Sequence, residues 1–165
     1  LDEGAVQPRP EWCPADALIE SAQRQLGARL HGHTLRAEVP ADAWVWCDPR
    51  LIDQVLVNLL DNAVRHSPPG GTIRAGIALD RDTWTLTVHD EGPGIPPGEE
   101  QAIFRKFYRA AGDSDSMGKG LGLAICSAIA ALHGGRITAA NDHGARFCLT
   151  LPQPALLDLD PEEST

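Results

Sequence analysis

The 165-residue sequence predicts an α/β (α+β) fold: a two-layer sandwich in which a mixed, largely antiparallel sheet is covered on one face by about three helices. Three observations lead there. In TWTLTVHD (83–90), Trp84, Leu86 and Val88 alternate with Thr83, Thr85, Thr87 and His89, the period of a strand with one buried face. In residues 49–66 the pairs Leu51/Ile52, Val55/Leu56, Leu59/Leu60 and Ala63/Val64 recur every four residues, the pattern of a strongly amphipathic helix. Helices and hairpin-like strand pairs then follow one another along a chain long enough to bury one core.

The elements follow in order. Residues 1–12, LDEGAVQPRPEW, read as a linker remnant, and residues 13–152 as the domain. Pro14 suits the first turn of a helix running to about Arg29, with Ala17, Leu18, Ala22, Leu26 and Leu30 on one side. Short strands are expected near His33–Val39 and Trp44–Cys47, followed by the helix Pro49–His66, which SPPGG (67–71) ends. Strands at Thr72–Leu79 and Thr83–Asp90 meet through the tight turn Asp80-Arg81-Asp82 as a hairpin would. After DEGPGIPP comes a short helix near Gly98–Arg105, on which the spacing lets Phe104 and Phe107 share a face. A polar loop from about Ala110 to Lys119 leads to an apolar helix, Leu121–His133, closed by Gly134-Gly135. Strands Arg136–Ala140 and Arg146–Leu151 are joined by the turn Asn141-Asp142-His143-Gly144, and the acidic stretch 153–165 is expected to fray.

Composition narrows the function. With 42% apolar and 22% charged residues, no membrane-length apolar run and no signal peptide, the chain reads as a soluble, cytosolic body. A net charge of −9, from 14 basic and 23 acidic residues, disfavours nucleic acid and anionic membrane as partners, so any anion must be held locally. Cys13, Cys47, Cys126 and Cys148 are far apart with no C-x-x-C pair, which points to reduced, partly buried thiols. His31-Gly32-His33 lacks the further ligands a metal site needs and reads as a loop.

Four places carry polar residues where an apolar fold does not ask for them. The buried row Trp84, Leu86, Val88 continues to a carboxylate, Asp90, just before Gly92 and Gly94. That carboxylate serves either as a turn acceptor ahead of Gly-Pro-Gly or as acceptor for the exocyclic amine of a base such as adenine, with the glycines leaving space for the ring. At about 100° per residue, Asn62 falls inside the apolar sector of its helix and Asn58 at its edge. Two amides in such a place bond either to a neighbouring loop backbone or to a Mg²⁺ shared with phosphates, and Arg65 would then face the same anion. Gly118, Gly120 and Gly122 alternate ahead of a helix, as a flexible hinge or as a cradle for polyphosphate at a helix N-terminus; the stretch fits neither the Walker nor the dinucleotide pattern. Between these lies IFRKFYRA: within 101–120, Arg105, Lys106, Arg109 and Lys119 face only Asp113 and Asp115, a locally basic segment suited to a lid over a triphosphate.

In this order the segments resemble the ATP-binding catalytic domain of bacterial sensor histidine kinases, in the superfamily of gyrase, Hsp90 and MutL with its Bergerat-type fold. NLLDNAVRHS is similar to the N box, DEGPGIP to the first glycine box, FRKFYR to the F box and GKGLGLAIC to the second glycine box, over roughly residues 14–152. GIPPGEEQAIFRKFYRA, HGGRITAAN and FCLTLP most resemble the potassium-responsive, KdpD-type kinases. The resemblance implies ATP and Mg²⁺ as cofactors, with Asn58 and Asn62 as metal ligands. Arg65 takes the place of the family's phosphate-contacting lysine, and His66 the place of a residue covering the base. Asp90 would hold the adenine amine, Gly92, Gly94 and Ile95 would line its pocket, and Arg109 and Lys119 would reach in from the lid. Gly118, Gly120, Leu121, Gly122 and Leu123 would cradle the triphosphate.

A glutamate activates water in the superfamily's ATPases where Asn58 stands here, and an amide cannot take that proton; Asp61 points about 100° away from Asn62. This favours phosphoryl transfer to a histidine over hydrolysis, with an ATP-binding regulatory module or an ATP-hydrolysing module of the same superfamily as alternatives. None of the six histidines lies in an S/H-E-x-x-x-P setting, so the chain reads as a monomeric fragment, weakly active or inactive alone. The implied partners are the dimerisation and phosphoacceptor domain of the same full-length protein, attached to the inner membrane, and a response regulator.

Overall fold

The computed structural model describes residues 7–108 and 121–155. The elements are β1 (Glu11–Pro14), α1 (Ala15–Leu26), a 3₁₀ turn (Gly27–Leu30), β2 (Thr34–Glu38), β3 (Trp44–Cys47), α2 (Pro49–His66), β4 (Thr72–Leu79) and β5 (Thr83–His89). They continue with a second 3₁₀ turn (Ala102–Phe104), α3 (Gly122–Leu132), β6 (Arg136–Asn141) and β7 (Ala145–Pro152). Five strands form one sheet in the order β2-β4-β5-β7-β6, in which only β2 and β4 run parallel. The expected two-layer sandwich with a mixed, largely antiparallel sheet and three helices is thus what the chain builds.

The alternation in β5 does what its period requires. Trp84, Leu86 and Val88 are buried while Thr83, Thr85, Thr87 and His89 stay half-exposed on the other face. Opposite them on β7 stand Leu151, Leu149 and Phe147, and on β4 Leu79, Ile77 and Ala75, so that three cross-strand rows make the helix-facing surface. Helix α2 lies on it with Ile52, Val55, Leu56, Leu59, Leu60 and Ala63 buried. Sequestering each large aliphatic side chain contributes about 1.5–3 kcal/mol, which holds α2 in place despite its two core-side amides.

The start of α2 is fixed by Asp48. Its Oδ1 accepts the backbone N–H of Arg50 at 3.1 Å and its Oδ2 that of Arg9 at 2.9 Å. The N–H of Asp48 in turn donates to His133 Nε2 at 3.0 Å, while His133 Nδ1 donates to the Ile129 carbonyl at 2.9 Å. One imidazole therefore joins the N-terminus of α2 to the end of α3.

Four expectations shift. Residues 11–14, half of them within the stretch expected as linker, form β1, paired antiparallel with β3 in a separate two-stranded sheet. Gln153, expected in the frayed tail, extends this pairing: its amide accepts from Trp46 N–H at 3.1 Å and donates to Trp44 O at 3.3 Å. Helix α1 stops at Leu26 because Gly27 takes φ +48°, and the chain continues as 3₁₀. The short helix expected near Gly98–Arg105 contracts to the 3₁₀ turn at 102–104, following Pro96-Pro97 and a Gly98 at φ +86°. Phe104 and Phe107 accordingly do not share a face. Phe104 packs edge-to-face on Phe147 with ring centres 6.2 Å apart, whereas Phe107 is 69% exposed with φ +65°.

Cys13, Cys47 and Cys126 are free and buried, and Cys148 is free and half-buried. Among the described residues no helix is long and apolar enough to cross a membrane.

Candidate nucleotide-binding site

Two elements meet the C-terminal half of α2, and a third braces one of them. The first is α3, whose opening residue Gly122 lies against Asn58: a Cβ built there would sit 3.4 Å from Asn58 Oδ1. Among the described residues no side chain caps α3 and its first turn holds no acidic residue, so its leading N–H groups present the positive end of the helix. Leu121, Gly122 and Leu123 are half-buried there.

Asn62, one turn after Asn58, is also half-buried. Its Oδ1 is 3.5 Å from Arg65 Nη2, and Arg65 Nε lies 3.7 Å from Asp61 Oδ2. Arg65 is thus held over Asn62 on the same side, as its spacing predicts, but engaged with Asp61. Both α2 donors are neutral amides, and among the described residues no group of three or more His, Cys, Asp and Glu side chains could hold a metal ion. A divalent cation here would take one or two amide oxygens and need most of its shell from phosphates and water, which suits Mg²⁺.

The second element is the loop after β5. Asp90 is 1% exposed, and its Oδ1 accepts the N–H of Gly92 at 2.8 Å and of Ala145 at 3.2 Å. Among the described residues Oδ2 has no hydrogen-bond partner. One oxygen of the carboxylate thus organises the turn, the first of the two roles open to it. Gly92 presses on the end of α2, where a Cβ would overlap the carbonyl of His66. Exposed His66 consequently borders the loop. Ser67 Oγ, 3.4 Å from Glu91 N, and Glu91 Oε1, accepting from Thr72 N at 2.6 Å, tie the two together.

The third element is the turn joining β6 to β7, which the sequence reading left out of the site. Asn141 Oδ1 accepts from Ile95 N at 2.6 Å and its Nδ2 donates to Ile95 O at 2.8 Å. Gly94, at φ +86°, would bring a Cβ to 2.5 Å from Asn141 Oδ1. At both loop glycines the place a Cβ would take is already filled by protein neighbours. Ile95 is buried. Arg109, Gly118, Lys119 and Gly120 lie outside the described residues.

Comparison with known proteins places this geometry. A family model described as histidine kinase-, DNA gyrase B-, and HSP90-like ATPase matches residues 47–155, and the chain belongs to this family of ATP-binding domains. Its curated relatives within this family include sensor kinases. The sensor protein KdpD of Escherichia coli (strain K12) is 37% identical over 97% of this chain and 18% of its own length. The adaptive-response sensory kinase SasA of Synechococcus elongatus is 37% identical over 84% of this chain and 38% of its own length. The chain thus spans well under half of these relatives. The solved structure of the mycobacterial sensor histidine kinase MprB superposes with a TM-score of 0.77 at 28% identity, covering 90% of this chain and all of that one. Histidine kinase ThkA, solved in complex with the response regulator TrrA, gives 0.76 at 25% identity, over 89% of this chain and 42% of that one.

Proposed function

We propose that this chain is the catalytic domain of a two-component sensor histidine kinase, binding Mg-ATP and transferring the γ-phosphoryl group to a histidine on a separate dimerisation domain. The observation that carries the reading is the buried carboxylate of Asp90, locked through Oδ1 with Oδ2 left over, in a loop that abuts the helix bearing Asn58, Asn62 and Arg65.

Each group has a role its position supports. Asp90 Oδ2 accepts the exocyclic amine of adenine and sets the base, with Ile95 and His66 beside it. The N–H groups opening α3, with Leu121, Gly122 and Leu123, receive phosphate oxygens, and the family resemblance adds Gly118, Lys119, Gly120 and Arg109 to them. Asn58 and Asn62 hold the Mg²⁺ that, when bound with the nucleotide, neutralises phosphate charge. Arg65 exchanges Asp61 for a phosphate oxygen. Asn58 offers no base for water, so the site positions and neutralises a phosphoryl group for a nucleophile that needs little deprotonation, as a neutral histidine does. The acceptor histidine passes the group to a response-regulator aspartate, in keeping with ThkA's complex with TrrA. Potassium as the signal is favoured by KdpD, with SasA no less similar in identity. The domain of residues 13–152, widened by Glu11, Trp12 and Gln153 that pair with β3, works as a monomer on the cytoplasmic side of the inner membrane, to which the full-length protein is attached.

The test is incubation with radiolabelled γ-phosphate ATP and Mg²⁺, with and without a dimeric histidine-bearing partner domain. Label on the partner, stable to base and labile to acid, is expected. Nucleotide binding with no label would identify a regulatory module, and free phosphate without label an ATPase; either result overturns the kinase reading.

A further inference from the structure

The β6–β7 turn makes a continuous seam with the segment that follows β5. Asp90 N–H donates to Ala145 O at 3.0 Å and Ala145 N–H donates back to Asp90 Oδ1 at 3.2 Å. His89 Nε2 donates to Asp142 O at 2.6 Å. Gly144, at φ +132°, has no room for a Cβ, which would overlap the Asp90 carbonyl. Beyond this strand-like pairing the loop leaves the sheet, and Asn141 catches it again at Ile95, its amide gripping both the N–H and the C=O at 2.6 and 2.8 Å. A side-chain amide here reproduces the two hydrogen bonds of a neighbouring strand. It holds an irregular Gly-Pro-Gly-Ile segment that among the described residues has no other strand to pair with.

We propose that Asn141 is a positioning residue for nucleotide recognition, fixing the Gly94–Ile95 side of the base pocket relative to Asp90 so that both meet the adenine ring without rearrangement. The inference rests on the nucleotide-site reading above. Asn141 touches no nucleotide in it; it acts through Ile95, from a residue that is exposed overall and outside the apolar core. Losing two bonds that pre-organise the pocket is expected to weaken adenine-nucleotide binding about tenfold, whether or not metal is present, because the disturbed end is the base end.

The experiment titrates ADP by calorimetry into wild type, Asn141→Ala, Asn141→Asp and Asn62→Ala, in Mg²⁺ and in EDTA, with a thermal melt of each. Asn141→Ala is expected to lose about tenfold in both buffers, while Asn62→Ala loses only in Mg²⁺. Asn141→Asp keeps the acceptor for Ile95 N–H but sets a carboxylate oxygen against Ile95 O, and is expected to bind no better than Asn141→Ala. A merely structural Asn141 would lower the melting temperature and leave affinity measured far below it untouched. ADP binding by Asn141→Ala within about twofold of a binding-competent wild type overturns the inference and spares the site. A wild type that binds ADP in neither buffer overturns the site reading and the inference with it.

Discussion

Replacing Asp90 by asparagine separates the two jobs of this side chain. Oδ1 already accepts two backbone N–H groups, from Gly92 at 2.8 Å and Ala145 at 3.2 Å, and an asparagine amide turned the same way still accepts both. The fold should therefore survive, at a cost of about 1 kcal/mol for two hydrogen bonds that lose their charge assistance. The same orientation places an –NH₂ where Oδ2 stood, a donor facing the donor amine of adenine. A hydrogen bond to a charged acceptor contributes about 1.5–3 kcal/mol, so Mg-ATP affinity should fall between about tenfold and about a hundredfold. A 6-oxo purine offers an acceptor at that position, and Mg-ITP should bind Asp90→Asn better than it binds the wild type. Calorimetric titration of both nucleotides, with a thermal melt for the fold, reads all three quantities. An unchanged ATP-to-ITP affinity ratio in a folded variant would refute the assignment of Asp90 to the base.

Other expectations follow from the same geometry. Asn62→Ala should remove Mg²⁺-dependent enhancement of ATP binding, read as loss of the difference between titrations in Mg²⁺ and in EDTA. Burial alone would push the Asp48 carboxyl up, but the N–H groups of Arg9 and Arg50 and the Arg50 guanidinium outweigh it and hold the group below its ordinary 3.8. A carboxyl depressed on folding contributes stability that is present above the unfolded value and lost as pH falls through the folded one. Asp48→Ala should thus lose about 1–2 kcal/mol at neutral pH and progressively less below 3.8, as urea melts across pH would show. Burial drives the Cys13 thiol up, the Cys47 thiol well up and the Cys126 thiol to about 12. Iodoacetamide on the native protein should then modify Cys148 first, with the other three reacting only on unfolding; prompt labelling of Cys126 in a mass spectrum would contradict the packing of α3 on α2.

What could be seen in the sequence depended on the range of the interaction. Helix α2 and strands β3 and β4 begin and end where periodicity, Pro49 and the SPPGG break place them, because the forces that set those bounds are local. Strand β1 was hidden: its four residues lie among Pro8, Pro10 and Pro14, and only pairing with β3, some thirty residues on, makes them a strand. Asp90 could be singled out because it breaks an apolar alternation, and Asn58 and Asn62 because a core helix disfavours amides. Asn141 gave no such signal, since Asn followed by Asp ahead of a glycine is what any turn contains. Its amide acquires meaning only once folding sets Ile95 beside it. Gly92 and Gly94 were legible as special, but the carbonyl of His66 and the amide of Asn141 that crowd them come from distant parts of the chain and left no mark in the local sequence.

A titration of ¹⁵N-labelled protein with Mg-ATP, followed amide by amide, tests most directly whether α2, the loop after β5 and the start of α3 serve one ligand. The backbone signals of Asn62, Asp90, Gly92, Ile95 and Gly122, with the side-chain amides of Asn58 and Asn62, should shift together along a single isotherm that ATP saturates and GTP does not. Shifts confined to one of the three elements, or separate isotherms for Asp90 and for Gly122, would contradict it.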